Sequence, residues 1–122
     1  MKQGLVLFAH GARDARWKAP FEAVAERARA AAPAAEVRLA FLELMTPDIA
    51  AAVGDLVAAG CRHIHVVPLF LGSGGHVRHD LPLLLDALRV QHAGTLVELH
   101  PAVGEAPAVI DAMAAFAVRT LQ

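Results

Sequence analysis

The stretch that decides the fold is HIHVVPLFL at residues 63–71, which runs directly into GSGGH at residues 72–76. Apolar and β-branched residues dominate the first part and a glycine-rich turn ends it, a pattern typical of a strand. A second unbroken apolar run, GLVLFA at residues 4–9, ends at His10-Gly11. Such a run is expected of a strand that is covered on both faces. Two buried strands are therefore predicted, each followed by a loop with glycine and histidine.

The segments on either side of these strands complete an alternating pattern. Further strands are predicted at residues 37–42 and 96–99. In residues 37–42, apolar residues alternate with Arg38, so this strand is expected to be less buried than the strand at residues 4–9. Apolar residues at helical spacing predict four helices, over residues 17–28, 49–57, 81–88 and 105–116. Strands that alternate with single helices favour an open four-stranded parallel sheet with helices on both faces, because parallel neighbours need crossover connections.

The start of the second helix has a recognisable sequence, Thr46-Pro47-Asp48. Thr46 is expected to cap the helix, Pro47 to occupy its first position, and Asp48 to face its positive end. The first helix is expected to begin shortly before Pro20, because proline is tolerated only in the first turn.

Composition excludes several classes of protein. The 122 residues include 11 Lys+Arg and 12 Asp+Glu, a net charge of -1, so no bias towards nucleic acid or anionic membrane is expected. Hydrophobic residues reach 57%, which excludes disorder, and no apolar stretch is long enough to span a bilayer. No signal peptide is predicted. The single cysteine, Cys61, permits no internal disulfide, so a cytoplasmic location is expected.

Candidate functional residues follow the predicted strands. In open α/β sheets, ligands bind outside the carboxyl ends of the strands, where His10, Glu43 and His76 are expected to lie. Two imidazoles and a carboxylate can converge on a borderline divalent cation and leave positions open for water or substrate. No thiolate joins them, which favours an exchangeable ion over a closed structural site.

Basic residues surround these three candidates. Arg13, Arg16, Lys18 and Arg78 lie on segments that leave the same end of the predicted sheet, so they can form a basic rim. The glycine-rich run at residues 72–75 allows the backbone to approach a ligand closely.

Each candidate also has a purely structural explanation. A histidine at a strand end is often only hydrogen-bonded, Glu43 can be a solvated or capping carboxylate, and the arginines can be solvated charges. His63 and His65 alternate along the third strand and are interpreted as sheet-face residues, whereas His79 can face either the site or solvent. Trp17 is interpreted as a core residue that can also line the pocket, whereas Cys61, His92 and His100 are interpreted as structural or surface residues.

Three blocks of sequence carry a family resemblance. HGARD at residues 10–14, FLE at residues 41–43 with Thr46-Pro47, and PLFLGSGGH at residues 68–76 with Asp80 and Pro82 occur in this order. Together they resemble the motifs of the CbiX-type sirohydrochlorin chelatases, which belong to the class II chelatase superfamily. The family usually has serine after the His-Gly pair, whereas this chain has Ala12 and lacks that hydroxyl.

The resemblance implies a fold, a reaction and a set of residues. It implies one CbiX-type chelatase domain over residues 1–122, a flavodoxin-like half-domain that acts as a homodimer on the anionic tetrapyrrole sirohydrochlorin. It implies that a divalent metal ion is a substrate, with Co²⁺ as the first choice, Fe²⁺ as the second and Ni²⁺ as an alternative. The product would serve cobalamin or siroheme biosynthesis, and no organic cofactor is implied. The implied roles are metal handling by His10, His76 and Glu43, and substrate binding by Arg13, Arg78, Ser73, Gly74 and Gly75.

Other functions stay open on the sequence alone. A strand followed by His10-Gly11 is superficially similar to the phosphohistidine phosphatases, but those have arginine before the histidine and this chain has Ala9. A receiver domain is disfavoured because no acidic pair follows the first strand. A metal carrier or storage domain of the same fold remains the non-enzymatic alternative.

Overall fold

The computed structural model describes residues 1–72 and 74–122, with the backbone alone for residues 75 and 76. Within them, four strands and four α-helices alternate along the chain. The strands are β1 (Gln3–Ala9), β2 (Glu36–Phe41), β3 (His63–Pro68) and β4 (Leu96–Leu99). The helices are α1 (Ala19–Ala31), α2 (Ile49–Ala58), α3 (Gly75–Gln91) and α4 (Pro107–Arg119). Short 3₁₀ helices precede α1 and α4, at Ala15–Lys18 and Val103–Glu105.

The four strands form one parallel sheet in the order β2-β1-β3-β4. The chain leaves β1 towards one edge of the sheet to form β2, and then crosses to the other side of β1 to form β3 and β4. The strand order therefore reverses between β1 and β3, where open α/β sheets form their ligand crevice. The loops after these two strands lie side by side at the carboxyl edge, and the predicted open parallel sheet is confirmed.

Helices cover both faces of the sheet. The larger core packs α2 and α3 against one face, where Val6, Phe8 and Ile64 are fully buried beside Leu56 and Leu85. The smaller core packs α1 against the opposite face, through the buried residues Leu7, Ala25 and Val37. Side chains of each strand alternate between the two faces because successive residues of a strand point to opposite sides. The expected helices on both faces are confirmed.

The start of α2 differs from the prediction. Asp48, and not Thr46, caps the helix: its carboxylate accepts a hydrogen bond from the amide of Ala51 at 2.8 Å. Pro47 lies outside the helix, because its carbonyl oxygen accepts a hydrogen bond from the amide of Phe41 at 2.9 Å. That bond folds the loop after β2 back over the strand end and moves the helix start two residues further along the chain.

The boundary between β3 and α3 also differs. Strand pairing ends at Pro68, although the apolar run continues, because Phe70 leaves the sheet to be buried below the carboxyl edge and Leu71 becomes exposed. Helix α3 begins at Gly75, six residues before the predicted start at Leu81, and it includes Pro82. The glycine-rich run therefore leads directly into the first turn of a helix.

Helix α4 stands apart from the rest of the fold. It packs mainly against the 3₁₀ helix at Val103–Glu105, and none of its residues is buried. Ile110, Met113 and Phe116 are 47%, 41% and 68% exposed. Over residues 1–72 and 74–122, neither α4 nor another helix combines the length and apolarity needed to cross a membrane.

Candidate active site

His10 lies at the carboxyl edge of the sheet, directly after β1. Its ring stacks on the ring of Phe70 with a centroid distance of 4.0 Å and an interplanar angle of 27°. Phe70 is buried and also contacts Phe8, at a centroid distance of 5.9 Å. One face of the imidazole is therefore supported by the core, while His10 as a whole stays exposed to solvent. This stacking contact limits the orientations of the ring and does not use its nitrogen atoms as donors or acceptors.

Glu43 is joined to His10 through the backbone. The amide of Leu42 donates to the carbonyl oxygen of Ala9 at 2.8 Å, and the amide of Glu43 donates to that of His10 at 3.0 Å. These two backbone hydrogen bonds join the loops directly beyond the ends of β1 and β2. The side chain of Glu43 is exposed, so the structure brings an imidazole and a carboxylate together at one edge of the sheet.

Gly11 makes this close approach possible. Its φ is +96°, and a Cβ atom at this position would lie 1.8 Å from the carbonyl oxygen of Glu43. Both the left-handed backbone and the contact exclude a side chain. In the loop after β2, Leu44 has a φ of 65°. The amide of Met45 donates to the carbonyl oxygen of Glu43 at 2.8 Å, which forms a tight turn. Such strained backbone is frequent at functional sites.

A groove of about 460 Å³ opens beside these residues. Its residues come from the loops after β1 and β2 and from one side of α3. They are His10, Leu42, Glu43, Val77, Asp80, Leu81 and Leu84. Leu42 and Leu84 are each 39% exposed, so the groove presents apolar side chains to solvent with polar groups at its edge. This combination is typical of a site for a largely apolar ligand that also carries polar groups.

The third candidate metal residue, His76, lies in the first turn of α3 by its backbone, directly before Val77 of the groove. Its side chain lies outside the described part of the chain, and so does the whole of Ser73, while Gly75 is described by its backbone. Gly74 is the N-terminal capping residue of α3, with an extended backbone. The structure therefore brings together His10 and Glu43 and leaves the position of the His76 imidazole as a prediction.

The basic rim is narrower than the sequence predicts. Arg16 pairs with Asp14, with 2.8 Å between Nη2 and Oδ2, and these hydrogen bonds hold the pKa of Asp14 below its usual value. Lys18 lies with its ammonium 5.6 Å from the centroid of the Phe41 ring, in a hollow between α1 and β2. Arg13 and Arg78 remain exposed on the segments that flank the groove. Nη2 of Arg78 is 4.0 Å from Oε1 of Glu105.

Several open alternatives are resolved by the structure. His79 is exposed and is absent from the lining of the groove among the described residues. Trp17 is half-buried against Phe21, at a centroid distance of 4.4 Å, and does not line the groove either.

Sequence reasoning missed the role of Val77, Leu81 and Leu84 in forming a wall of the groove. These three residues are four and three positions apart, which places them on one face of a helix. The pattern is recognisable only when α3 is known to begin at Gly75.

Comparison with known proteins identifies the family. A family model described as CbiX matches residues 4–119. A sirohydrochlorin cobaltochelatase of Saccharolobus islandicus is 32% identical over 100 residues, which cover 79% of this chain and 77% of the relative. A sirohydrochlorin ferrochelatase of Bacillus subtilis is 34% identical over 82 residues, 67% of this chain. The chain spans only 31% of the length of that second relative.

Solved structures share the architecture. A CbiX protein from Marinobacter aquaeolei VT8 superposes on this chain with a TM-score of 0.85 at 32% identity. The match covers 98% of this chain and 97% of the Marinobacter chain. The sirohydrochlorin chelatase SirB of Bacillus subtilis in complex with cobalt gives a TM-score of 0.74 at 29% identity. It covers 83% of this chain, which spans 44% of SirB.

The parallel sheet, the reversal of strand order and the paired loops define a chelatase-like α/β protein. The match over residues 4–119 then decides the family. The chain belongs to the CbiX family.

Proposed function

We propose that this protein inserts a divalent metal ion into sirohydrochlorin. The observation that carries the proposal is the pairing of His10 and Glu43 by a 3.0 Å backbone hydrogen bond at the edge of an apolar groove. The named activities of the Saccharolobus and Bacillus relatives supply the substrate. An enzyme that handles a metal ion and a large ring needs ligand atoms and apolar surface side by side, and this groove offers both.

The chemistry of metallation assigns the roles that we propose. The incoming ion has to lose water and meet the ring face, and two pyrrole protons have to leave as it binds the ring nitrogens. His10 and His76 supply imidazole ligands of moderate strength, which release the ion to the ring. Glu43 supplies negative charge beside the ion and a carboxylate on the path of the departing protons. A set of thiolates would hold the ion too firmly for transfer.

The proposed binding mode of the ring follows from the groove. Leu42, Val77 and Leu84 offer apolar contact to the face of the macrocycle. Arg13 and Arg78 are exposed and lie near the groove residues His10 and Val77 in the chain. Guanidinium groups bind carboxylates through two parallel hydrogen bonds, so we assign both arginines to the ring carboxylates. Ser73, Gly74 and Gly75 belong to the same proposed substrate site, where small residues permit close approach of the ring.

We propose that residues 1–122 form one chelatase domain and that two copies assemble into the active homodimer. SirB is about twice as long, since this chain spans 44% of it, which supports a second copy in place of its remaining half. Among the described residues, the groove is walled by α3 and two loops. We infer that a second molecule helps to enclose a large flat ring. Helix α4 offers the exposed apolar residues Ile110, Met113 and Phe116 for such an interface.

We propose cobalt as the preferred metal, with iron second and nickel as an alternative, and no organic cofactor. Two of the named relatives support the first two choices, one being a cobaltochelatase and one a ferrochelatase. SirB has been observed with both cobalt and Fe³⁺. We further propose that the protein works in the cytoplasm, because its only cysteine, Cys61, is a buried free thiol.

Anaerobic metallation of sirohydrochlorin tests the proposed function. Purified protein is offered Co²⁺, Fe²⁺ and Ni²⁺ separately and in competition, and the change in ring absorbance is followed against the reaction without protein. Acceleration that requires His10 supports a chelatase, and the fastest metal names the preferred ion. Metal binding without acceleration for each of the three ions would refute the enzyme and favour the carrier.

A further inference from the structure

A group of imidazoles lies on the sheet face that carries α1. In β3, Ile64 and Val66 are fully buried towards α2 and α3, so the alternating residues His63 and His65 point to the opposite face. The strand register places Glu98 of β4 directly beside His65. We refer to the following side chains as the imidazole cluster: His63, His65, Glu98 and His100.

The polar atoms of the imidazole cluster lie close to one another. Nε2 of His63 is 2.9 Å from Oε1 of Glu98, and Nδ1 of His65 is 2.9 Å from Nε2 of His100. Nε2 of His100 is 3.6 Å from Oε2 of Glu98. One donor atom each from His63, His65 and Glu98 all fall within 4.8 Å of one another. The rings of His63 and His65 also stack on each other, with a centroid distance of 4.0 Å.

This arrangement is close to that of a metal site. Four ligand atoms at bond lengths of about 2.0–2.2 Å in a tetrahedron lie about 3.3–3.6 Å apart. The side chains of His63 and His65 are half-buried and that of Glu98 is exposed, so rotation about their side-chain bonds can bring the donor atoms from within 4.8 Å to that spacing. An imidazole and carboxylate set without thiolate suits borderline divalent cations.

A further contact orients His65 as a ligand. Its Nε2 is 2.6 Å from Oε1 of Gln3 on β1, where the ring N–H donates to the amide oxygen. The lone pair of Nδ1 then faces the cluster. Metal-binding histidines commonly donate their second nitrogen in this way, which fixes the ring and its tautomer.

We propose that His63, His65 and Glu98, with His100 beside them, bind a divalent cation such as Zn²⁺, Co²⁺ or Ni²⁺ at a second site. His65 is level with Leu5 in the sheet, so His10 lies five residues, or about 16 Å, further along the strand direction. The cluster is also on the face opposite the groove wall formed by α3. The inference therefore does not rest on the proposed metallation of sirohydrochlorin.

Binding at this site has a structural consequence. The ligands come from β3 and from the edge strand β4, so the ion ties the edge of the sheet to its centre. An ion that binds only the folded protein raises its stability by mass action. Zinc should therefore raise the melting temperature of the wild type, and this rise should depend on the cluster.

Zinc titration of the whole, metal-stripped protein tests the proposal. Calorimetry and equilibrium dialysis give the equivalents bound per chain, and the visible bands of Co²⁺ report its coordination. The test variant is His63→Ala/His65→Ala, and Glu98→Gln keeps the shape of the carboxylate without its charge. The matched control is His92→Ala, which removes an imidazole at the end of α3 outside the cluster, and His10→Ala removes the groove ligand.

The expected result is the loss of one bound equivalent and of the zinc-dependent rise in melting temperature in His63→Ala/His65→Ala. Glu98→Gln should lower the affinity for that zinc ion by about 10-fold or more. His92→Ala and His10→Ala should both retain it. A folded double variant that binds zinc as the wild type does would overturn the proposal. If the double variant does not fold, unchanged zinc affinity in Glu98→Gln overturns the proposal. Loss of all zinc binding in His10→Ala also overturns the proposal.

Discussion

The amide of Glu43 donates a hydrogen bond to the carbonyl oxygen of His10 at 3.0 Å, one residue beyond the end of β1 and two beyond the end of β2. Backbone hydrogen bonding therefore joins the loop that carries His10 to the loop that carries Glu43. This contact fixes the backbone positions from which the imidazole and the carboxylate project. A rigid support of this kind is what precise placement of a reacting group requires.

Substitution of Gly11 should separate the two loops. A methyl group at Gly11→Ala would meet the carbonyl oxygen of Glu43 at 1.8 Å, and the φ of +96° is unfavourable for alanine. We expect a loss of about 1–3 kcal/mol in the free energy of unfolding, from strain alone. Metallation should fall more steeply than stability, because Glu43 must move away from His10. Denaturant unfolding and the metallation rate measure the two effects.

Gly54→Ala is the matched control for this change. Gly54 lies inside α2, where a methyl group would meet no described atom within 4 Å apart from adjacent residues and the nearby backbone of the helix itself, and its φ is not left-handed. Alanine there should stabilise the protein by about 0.5–1 kcal/mol and leave the rate unchanged. Equal rates in Gly11→Ala and Gly54→Ala would show that the loop pairing has no role in the reaction.

The order of the elements can be read from the sequence, whereas contacts between distant segments cannot. Residues 4–9 predict β1 because burial on both faces selects an unbroken apolar run. Periodicity does not locate the start of α3, because the glycines before it are typical of a turn. The pairing of His65 with His100 depends on strand register, which no local pattern contains. The sequence alone therefore indicates separate sheet-face and surface histidines instead of a cluster.

Removal of the His10 imidazole should affect the reaction far more than the fold. The ring is exposed and only stacks on Phe70, so His10→Ala should cost about 1 kcal/mol or less in stability. The metallation rate should fall by about 100-fold or more, and His76→Ala should behave in the same way. Glu43→Gln should lower the rate while it keeps the shape of the side chain. Initial rates at saturating Co²⁺, with melting curves, decide this prediction, and a native rate in both histidine variants would contradict it.

Loss of either flanking arginine should weaken substrate binding. Arg13→Ala and Arg78→Ala each remove an exposed cation that we assign to the ring carboxylates, so KM for sirohydrochlorin should rise several-fold with little change in kcat. Arg27→Ala removes an equal charge from the exposed surface of α1 and serves as the control. The effect should shrink at high salt, because exposed charges are screened. An unchanged KM in both variants would exclude the arginines from recognition of the ring.

The thiol of Cys61 should take no part in the reaction. Cys61 is fully buried, and this burial raises the pKa of its thiol. A raised pKa lowers the thiolate fraction at neutral pH, and the thiolate is the form that binds metals and reacts with alkylating agents. Iodoacetamide should therefore leave the native protein unmodified and its metallation rate unchanged, whereas the protein in guanidinium chloride should be labelled completely. Mass spectrometry counts the label, and rapid labelling of the native protein would contradict the prediction.

Helix α4 provides the last prediction, which concerns the proposed homodimer. Met113 and Phe116 lie on one side of α4 and are exposed, although apolar side chains of this size are normally covered. Met113→Glu/Phe116→Glu places two charges in the proposed interface, so the dimer should dissociate at concentrations where the wild type is dimeric. Ala115→Glu, about 200° around the helix from Met113, is the control and should stay dimeric. Light scattering across a dilution series gives the mass, and the metallation rate is measured on the same samples. Specific activity should fall as the dimer dissociates, because the proposed site is shared between two chains. A wild type that is monomeric and fully active at every concentration would refute the shared site, whatever the roles of His10 and Glu43.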